Sequence, residues 1–180
     1  MSQILLDIAK QAILDHFEGV SHLNIPALLE KFPHLATHQA TFVTLTLNKQ
    51  LRGCIGSLIA HRPLLEDLIH NAHAAAFEDP RFYPLSKEEF KTVQIEISLL
   101  SAPEVVTYTD TAHLKEQIRV GEDGIILQKG SRRATFLPQV WEQLNTFELF
   151  FSHLCQKAGL EPSCIENHPD IWRYRVEKVK

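Results

Sequence analysis

Leu51-Arg52-Gly53-Cys54-Ile55-Gly56 sets a thiol between two glycines, with a guanidinium two residues away. Alternate side chains of an extended strand share a face. Arg52, Cys54 and Gly56 are therefore expected to point one way, and Gly53, Ile55 and Ser57 the other. A guanidinium beside a thiol favours the thiolate, the nucleophilic form of cysteine. Glycine inside a strand marks a bulge or a close approach of backbone or ligand, and Gly56 is expected to leave open space on the cysteine face. Free cysteine is also a common apolar filler, and the glycines would equally admit a crossing helix. Residue types alone leave both a reactive and a packed Cys54 open.

Further candidates lie downstream. Glu66, His70 and His73 fall at i, i+4 and i+7 of an expected helix and share a flank. Two imidazoles and a carboxylate suit iron or zinc. The order is not HExxH, however, and a solvated polar flank explains it as well, so no metal site is assigned. Residues 93–100 (VQIEISLL) alternate, with Val93, Ile95, Ile97 and Leu99 on one face and Gln94, Glu96 and Ser98 on the other. If that second face is covered, Glu96 needs a partner, for which Arg52 and His73 are candidates; on an open face it needs none. Asp79 and Arg81 form either a local ion pair that fixes a loop or a clamp with Arg81 turned to an anion. On a catalytic reading Cys54 is the nucleophile, Arg52 its activator, and His73 or Glu96 the proton-transfer group. Gly53, Gly56, Ser57, Asp79 and Arg81 would then line the ligand.

LRGCIG is joined by further motifs: AAAFEDPRFYPL at 74–85, GEDGIIL at 121–127, Lys129-Gly130, LPQV at 137–140 and LCQKAGL at 154–160. Together they resemble the AMMECR-type domain family, also called AmmeMemoRadiSam system protein A, over nearly the whole chain. Tyr83 departs from the proline usual there. The resemblance implies the fold, a pocket along the LRGCIG strand, and Memo-family and radical-SAM proteins as partners. It names no reaction. A small-molecule or catalytic pocket is one function it allows. A non-catalytic adaptor, with an apolar patch exposed near the motif, is the other.

The elements that must position these residues follow from hydrophobic spacing. Ile4, Leu5, Ile8, Ala12 and Ile13 predict an N-terminal helix stopping near Gly19. TFVTLTL at 41–47 predicts a strand, Asn48-Lys49-Gln50 a hairpin turn, and LRGCIGSLI the returning strand. Pro63 opens a helix to about Phe77, the prolines at 80 and 84 stop it, and Ser86 with Glu89 predicts a short capped helix. A helix at 110–119, a hairpin at 124–136 and a helix from about Asn145 to Gly159 follow. A closing strand is expected at 171–176. Strands returning as hairpins among separate helices give α+β with a largely antiparallel sheet. One domain is expected over 1–180, with room for a small secondary lobe.

Composition narrows the function classes. In 180 residues, 44% are hydrophobic and 22% charged, as in an ordinary globular domain. A net charge of -4 argues against a nucleic-acid surface. Neither a secretory leader nor a membrane span is read from the sequence. Cys54, Cys155 and Cys164 are odd in number without a CxxC pair, which favours reduced thiols in a cytoplasmic setting. No cysteine triad for an iron–sulfur cluster and no P-loop is present, so no cofactor of the chain's own is expected.

Overall fold

The computed structural model describes residues 2–180. Along the chain lie α1 (Ser2–Glu18), α2 (Ile25–Lys31), β1 (Ala40–Leu47), β2 (Gln50–Gly56), α3 (Leu64–Phe77), α4 (Lys87–Phe90), β3 (Gln94–Leu100), β4 (Glu104–Val105), α5 (Thr111–Gln117), β5 (Gly124–Lys129), β6 (Arg132–Phe136), α6 (Phe147–Lys157), β7 (Asp170–Tyr174) and β8 (Val176–Val179). They form two units, one running to Leu100 and taking back Glu177–Lys180, the other Ser101–Val176. Each unit has its own sheet and core, and the fold class is α+β.

The first unit is built on the sheet β2-β1-β3-β8. One sheet face carries Val43, Leu45 and Ile97, which pack on Leu5, Ile8 and Ile13 of α1 and Leu65, Leu68 and Ala72 of α3. Each such buried aliphatic side chain contributes about 2 kcal/mol from water exclusion. The alternation in β1 and β3 therefore decides which face α1 and α3 cover. It leaves Thr44 and Glu96 on the other face. Asn48 and Lys49, at φ 52° and 64°, make the two-residue turn between β1 and β2, a geometry that matches the strand twist.

The second unit is built on the sheet β4-β7-β5-β6. Its core gathers Ile125 and Leu127 of β5, Phe147, Phe150, Phe151 and Leu154 of α6, and Trp141 stacked on Phe150 at 3.7 Å. Asp110 and Thr146 cap α5 and α6 by accepting from backbone N–H groups three residues on. The closing strand expected at 171–176 is two strands. β7 pairs with β5 up to Tyr174, the strand is interrupted at Arg175, and β8 joins the first sheet.

Candidate functional site

The order β2-β1-β3-β8 makes β2 an edge strand, so its outward N–H and C=O groups need partners. At Cys54 the loop after α3 supplies them. The Cys54 N–H donates to Asp79 Oδ2 at 2.9 Å, and the Cys54 carbonyl lies 3.4 Å from Arg81 Nη2. Arg81 also reaches back to Asp79, with Nη2 to Oδ2 at 2.8 Å and Nε to Oδ1 at 3.0 Å. The bidentate pair thus closes against the strand edge in place of a neighbouring strand. Its guanidinium holds the Asp79 carboxyl well below the usual carboxylate range, against the opposing effect of burial. Asp79 and Arg81 are the ion pair of the two sequence alternatives, and more than half of the Arg81 side chain remains exposed.

Because the Cys54 N–H points away from β1, Cys54 and its cross-strand partner Thr44 form a non-hydrogen-bonded pair, the kind with closer side chains. Thr44 Oγ1 lies 3.4 Å from Cys54 Sγ, and the sulfur is half-buried. Thr44 in turn pairs with Glu96 on β3. Cys54, Thr44 and Glu96 form a row across three strands, in which Glu96 stands two strand spacings (about 10 Å) from Cys54. Thr44 and Glu96 line a groove of about 650 Å³ with Thr46, Lys49, Gln94 and Lys180. Glu96 pairs there with Lys180 at 3.0 Å and Lys178 at 3.5 Å, both from β8 and the residue after it, rather than with Arg52 or His73.

Arg52 does not accompany the thiol. The β1–β2 register slips between Leu45 and Thr46, so Gly53 opposes Leu45 and Leu51 opposes Thr46, leaving Arg52 at the bulge. Its guanidinium takes Glu89 at 2.7 and 3.1 Å and donates to the Tyr83 carbonyl at 2.8 Å. Glu89 serves twice, since Oε1 also closes the capping box of α4 by accepting from Ser86 N. The hydrogen bond from Arg52 lowers Glu89 to about 2. The Phe82 ring centroid lies 5.7 Å from the Arg52 guanidinium and 5.5 Å from that of Arg81.

The flanking glycines admit protein. A Cβ on Gly53 would stand 2.1 Å from the Ala75 carbonyl oxygen of α3, and one on Gly56 2.2 Å from the Phe42 ring. The space expected beside Gly56 is therefore filled by Phe42. Ser57 is buried and donates to Asp67 Oδ1 at 2.7 Å, alongside Arg62 Nε at 2.7 Å. Asp67 Oδ2 accepts from Thr41 N, Thr41 Oγ1 and Asn71 Nδ2. This network ties the start of α3 to β1 and to the residue that follows β2.

His73 faces α1. Its Nε2 lies 3.0 Å from His16 Nδ1, and its Nδ1 lies 3.6 Å from Glu78. Glu66 and His70 are exposed and do not converge with it on a ligand set. Among the described residues, the three ligating side chains that do converge are Asp15, Glu18 and His22.

In the second unit Cys155 and Cys164 are joined in a disulfide. This corrects the expectation of three reduced thiols. The turns through Gly159 (φ 77°) and Pro162 fold the chain back until the two Cα atoms are 5.8 Å apart, within bonding range without a CxxC spacing. Cys54 is the free cysteine.

LRGCIG and the DPRF loop thus meet at one strand edge, and the AMMECR1 family description matches residues 6–179. The chain belongs to the AMMECR1 family. A protein of Methanothermobacter thermautotrophicus is 37% identical over 179 residues, covering 96% of this chain and 89% of its own. An Aquifex aeolicus protein is 38% identical over 183 residues, covering 97% and 86%. The crystal structure of an uncharacterized Pyrococcus horikoshii protein is similar at a TM-score of 0.81 and 32% identity, covering 97% of this chain and 88% of that one. The AMMECR1 assignment agrees with the motif order read from the sequence. Among the described residues no helix is long and apolar enough to cross a membrane.

Proposed function

We propose that this AMMECR1-family chain binds a small polar molecule beside Cys54 and acts with Memo-family and radical-SAM proteins. The supporting observation is the Cys54–Thr44–Glu96 row, which sets a half-buried thiol against Thr44 at the wall of the groove. Glu96, Lys49 and Lys180 give that groove both signs of charge, suited to a small ligand carrying an acid and an amine. Cys54 is then the nucleophile or a ligand contact. Arg52, Asp79 and Arg81 are positioning residues that fix the strand and the loop. His73, engaged with His16, has no part in this reading.

Disulfide tethering tests it. Native protein is equilibrated with small disulfide-bearing fragments under mild reduction, and capture at Cys54 is read by mass spectrometry. Selective capture of a subset of fragments, suppressed by Thr44→Trp, is the expected result. Uniform capture, or none, rejects the pocket.

The adaptor reading has its own support. Leu51, Leu58, Ile59 and Tyr83 are exposed in or beside the two motifs, Tyr83 at 90%. If tethering fails, Ile59→Asp should weaken binding to a purified Memo-family or radical-SAM protein.

A further inference from the structure

The second unit carries a recess that the Cys54 site does not use. It is about 330 Å³ and is lined by Ser101, Arg119, Asp123, Arg173 and Arg175 with Glu104 at its side. Asp123 belongs to the GEDG stretch at 121–124, which the Cys54 site does not involve. Its side chain is 1% exposed. Oδ2 accepts from the Arg119 N–H at 2.8 Å, but Oδ1 accepts no hydrogen bond. The paired cation is Arg175 Nε, 3.7 Å away and beyond hydrogen-bond distance. A buried carboxylate oxygen without a donor is costly, and such exceptions call for an explanation.

Besides the Glu104 carboxylate, the other polar side chains of the recess include donors. Arg119 meets Glu122 only at 3.6 Å, Arg173 meets Glu104 at 3.5 Å, and Arg175 meets Glu122 at 3.9 Å. Arg119 and Arg175 are more than half exposed and make only loose pairs, so they are available to an anion, whereas Arg173 Nη1 donates to the Gln117 carbonyl at 2.9 Å and offers only its remaining N–H groups. Ser101 Oγ accepts from the Arg175 N–H at 2.8 Å, which leaves its own proton free to donate. A ligand complementary to this set is an anion that also carries one hydroxyl donor for Asp123 Oδ1. A fully deprotonated oxyanion would present only lone pairs to that oxygen.

We propose that the recess binds a phosphate group in its protonated form, as inorganic phosphate or as a small phosphate monoester, with the exposed Arg175 side chain swinging from beside Asp123 Oδ1 onto the anion, the P–OH donating to the oxygen so uncovered, and the arginines holding the remaining oxygens. Sulfate has the same shape but carries no proton near neutral pH, so Asp123 rejects it.

Isothermal titration of the intact protein at about pH 5.5, where inorganic phosphate and methyl phosphate both carry a P–OH and sulfate carries none, tests this with sodium phosphate, methyl phosphate and sodium sulfate. Phosphate is expected to bind in the submillimolar range, with sulfate about tenfold weaker because Asp123 would then lack its donor. Methyl phosphate binding more tightly than inorganic phosphate identifies a monoester as the preferred source, and the reverse identifies the free ion. In Asp123→Asn the amide can donate, so the preference should move towards sulfate. Equal binding of phosphate and sulfate by the unaltered protein, or binding of neither, overturns the proposal even if Asp123→Asn fails to fold.

Discussion

Asp79 accepts the backbone N–H of Cys54, 25 positions earlier in the chain, at 2.9 Å and so links the two motifs. One carboxylate oxygen caps the strand edge while both oxygens hold Arg81. The thiol is thereby presented on a strand whose outer side is closed by a loop. Its side chain is left to the sheet face with Thr44 and Glu96.

The Arg52–Glu89 pair makes stability depend on acid. Glu89 lies at about 2 in the folded protein against an ordinary value of 4.5. Its contribution is therefore complete above about pH 4.5 and is lost as pH falls through about 2. Glu89→Gln should cost about 1–2 kcal/mol at neutral pH, after allowance for its partial exposure. The gap between variant and parent should close on acidification. Urea titrations at pH 7, 4 and 2.5 measure it, and a gap independent of pH would contradict the pairing.

Gly53 and Gly56 should respond differently to alanine. At Gly53 the added methyl meets the α3 backbone, which cannot be trimmed, so Gly53→Ala should destabilise by about 3 kcal/mol. At Gly56 it meets the Phe42 side chain, so Phe42→Ala added to Gly56→Ala should be less destabilising than the two single costs summed. Thermal melts of the four variants decide between this and additive behaviour.

Asp67 collects donors from Thr41, Ser57, Arg62 and Asn71 in a buried site. Asp67→Ala should cost about 3–5 kcal/mol, since it strands those donors and removes the partner of Arg62. Thr41→Val, which keeps the Thr41 N–H bond, should cost less. Chemical denaturation of both variants measures the difference.

The strands β1, β2, β3, β5 and β6, the helix α3 and the Ser86–Glu89 cap were legible because apolar spacing and proline placement act locally. The partners were not. Counting from the expected turn Asn48-Lys49-Gln50 pairs Cys54 with Thr44 and leaves Arg52 on the cysteine face, whereas the actual turn is Asn48-Lys49 and the bulge at Arg52 restores the Cys54–Thr44 pairing. A one-residue slip reverses the faces, so the sequence could not place Arg52 away from Cys54. Glu89 was visible as a cap but not as the partner of Arg52, 37 positions away. Lys178 and Lys180 reach Glu96 because β8 returns to the first sheet, a topological fact that no local pattern carries. The Cys155–Cys164 bond likewise depends on how tightly the Gly159–Pro162 turn closes.

The most direct test of an accessible thiol beside the groove is native alkylation. With Cys155 and Cys164 bonded, iodoacetamide reads Cys54 alone. The rate is followed by mass spectrometry in native buffer and in denaturant. The account predicts native modification within about tenfold of the unfolded rate, as for a partly exposed thiol, and slower modification in Thr44→Trp. Cys54 left unmodified until the protein unfolds would make it packing and remove the pocket.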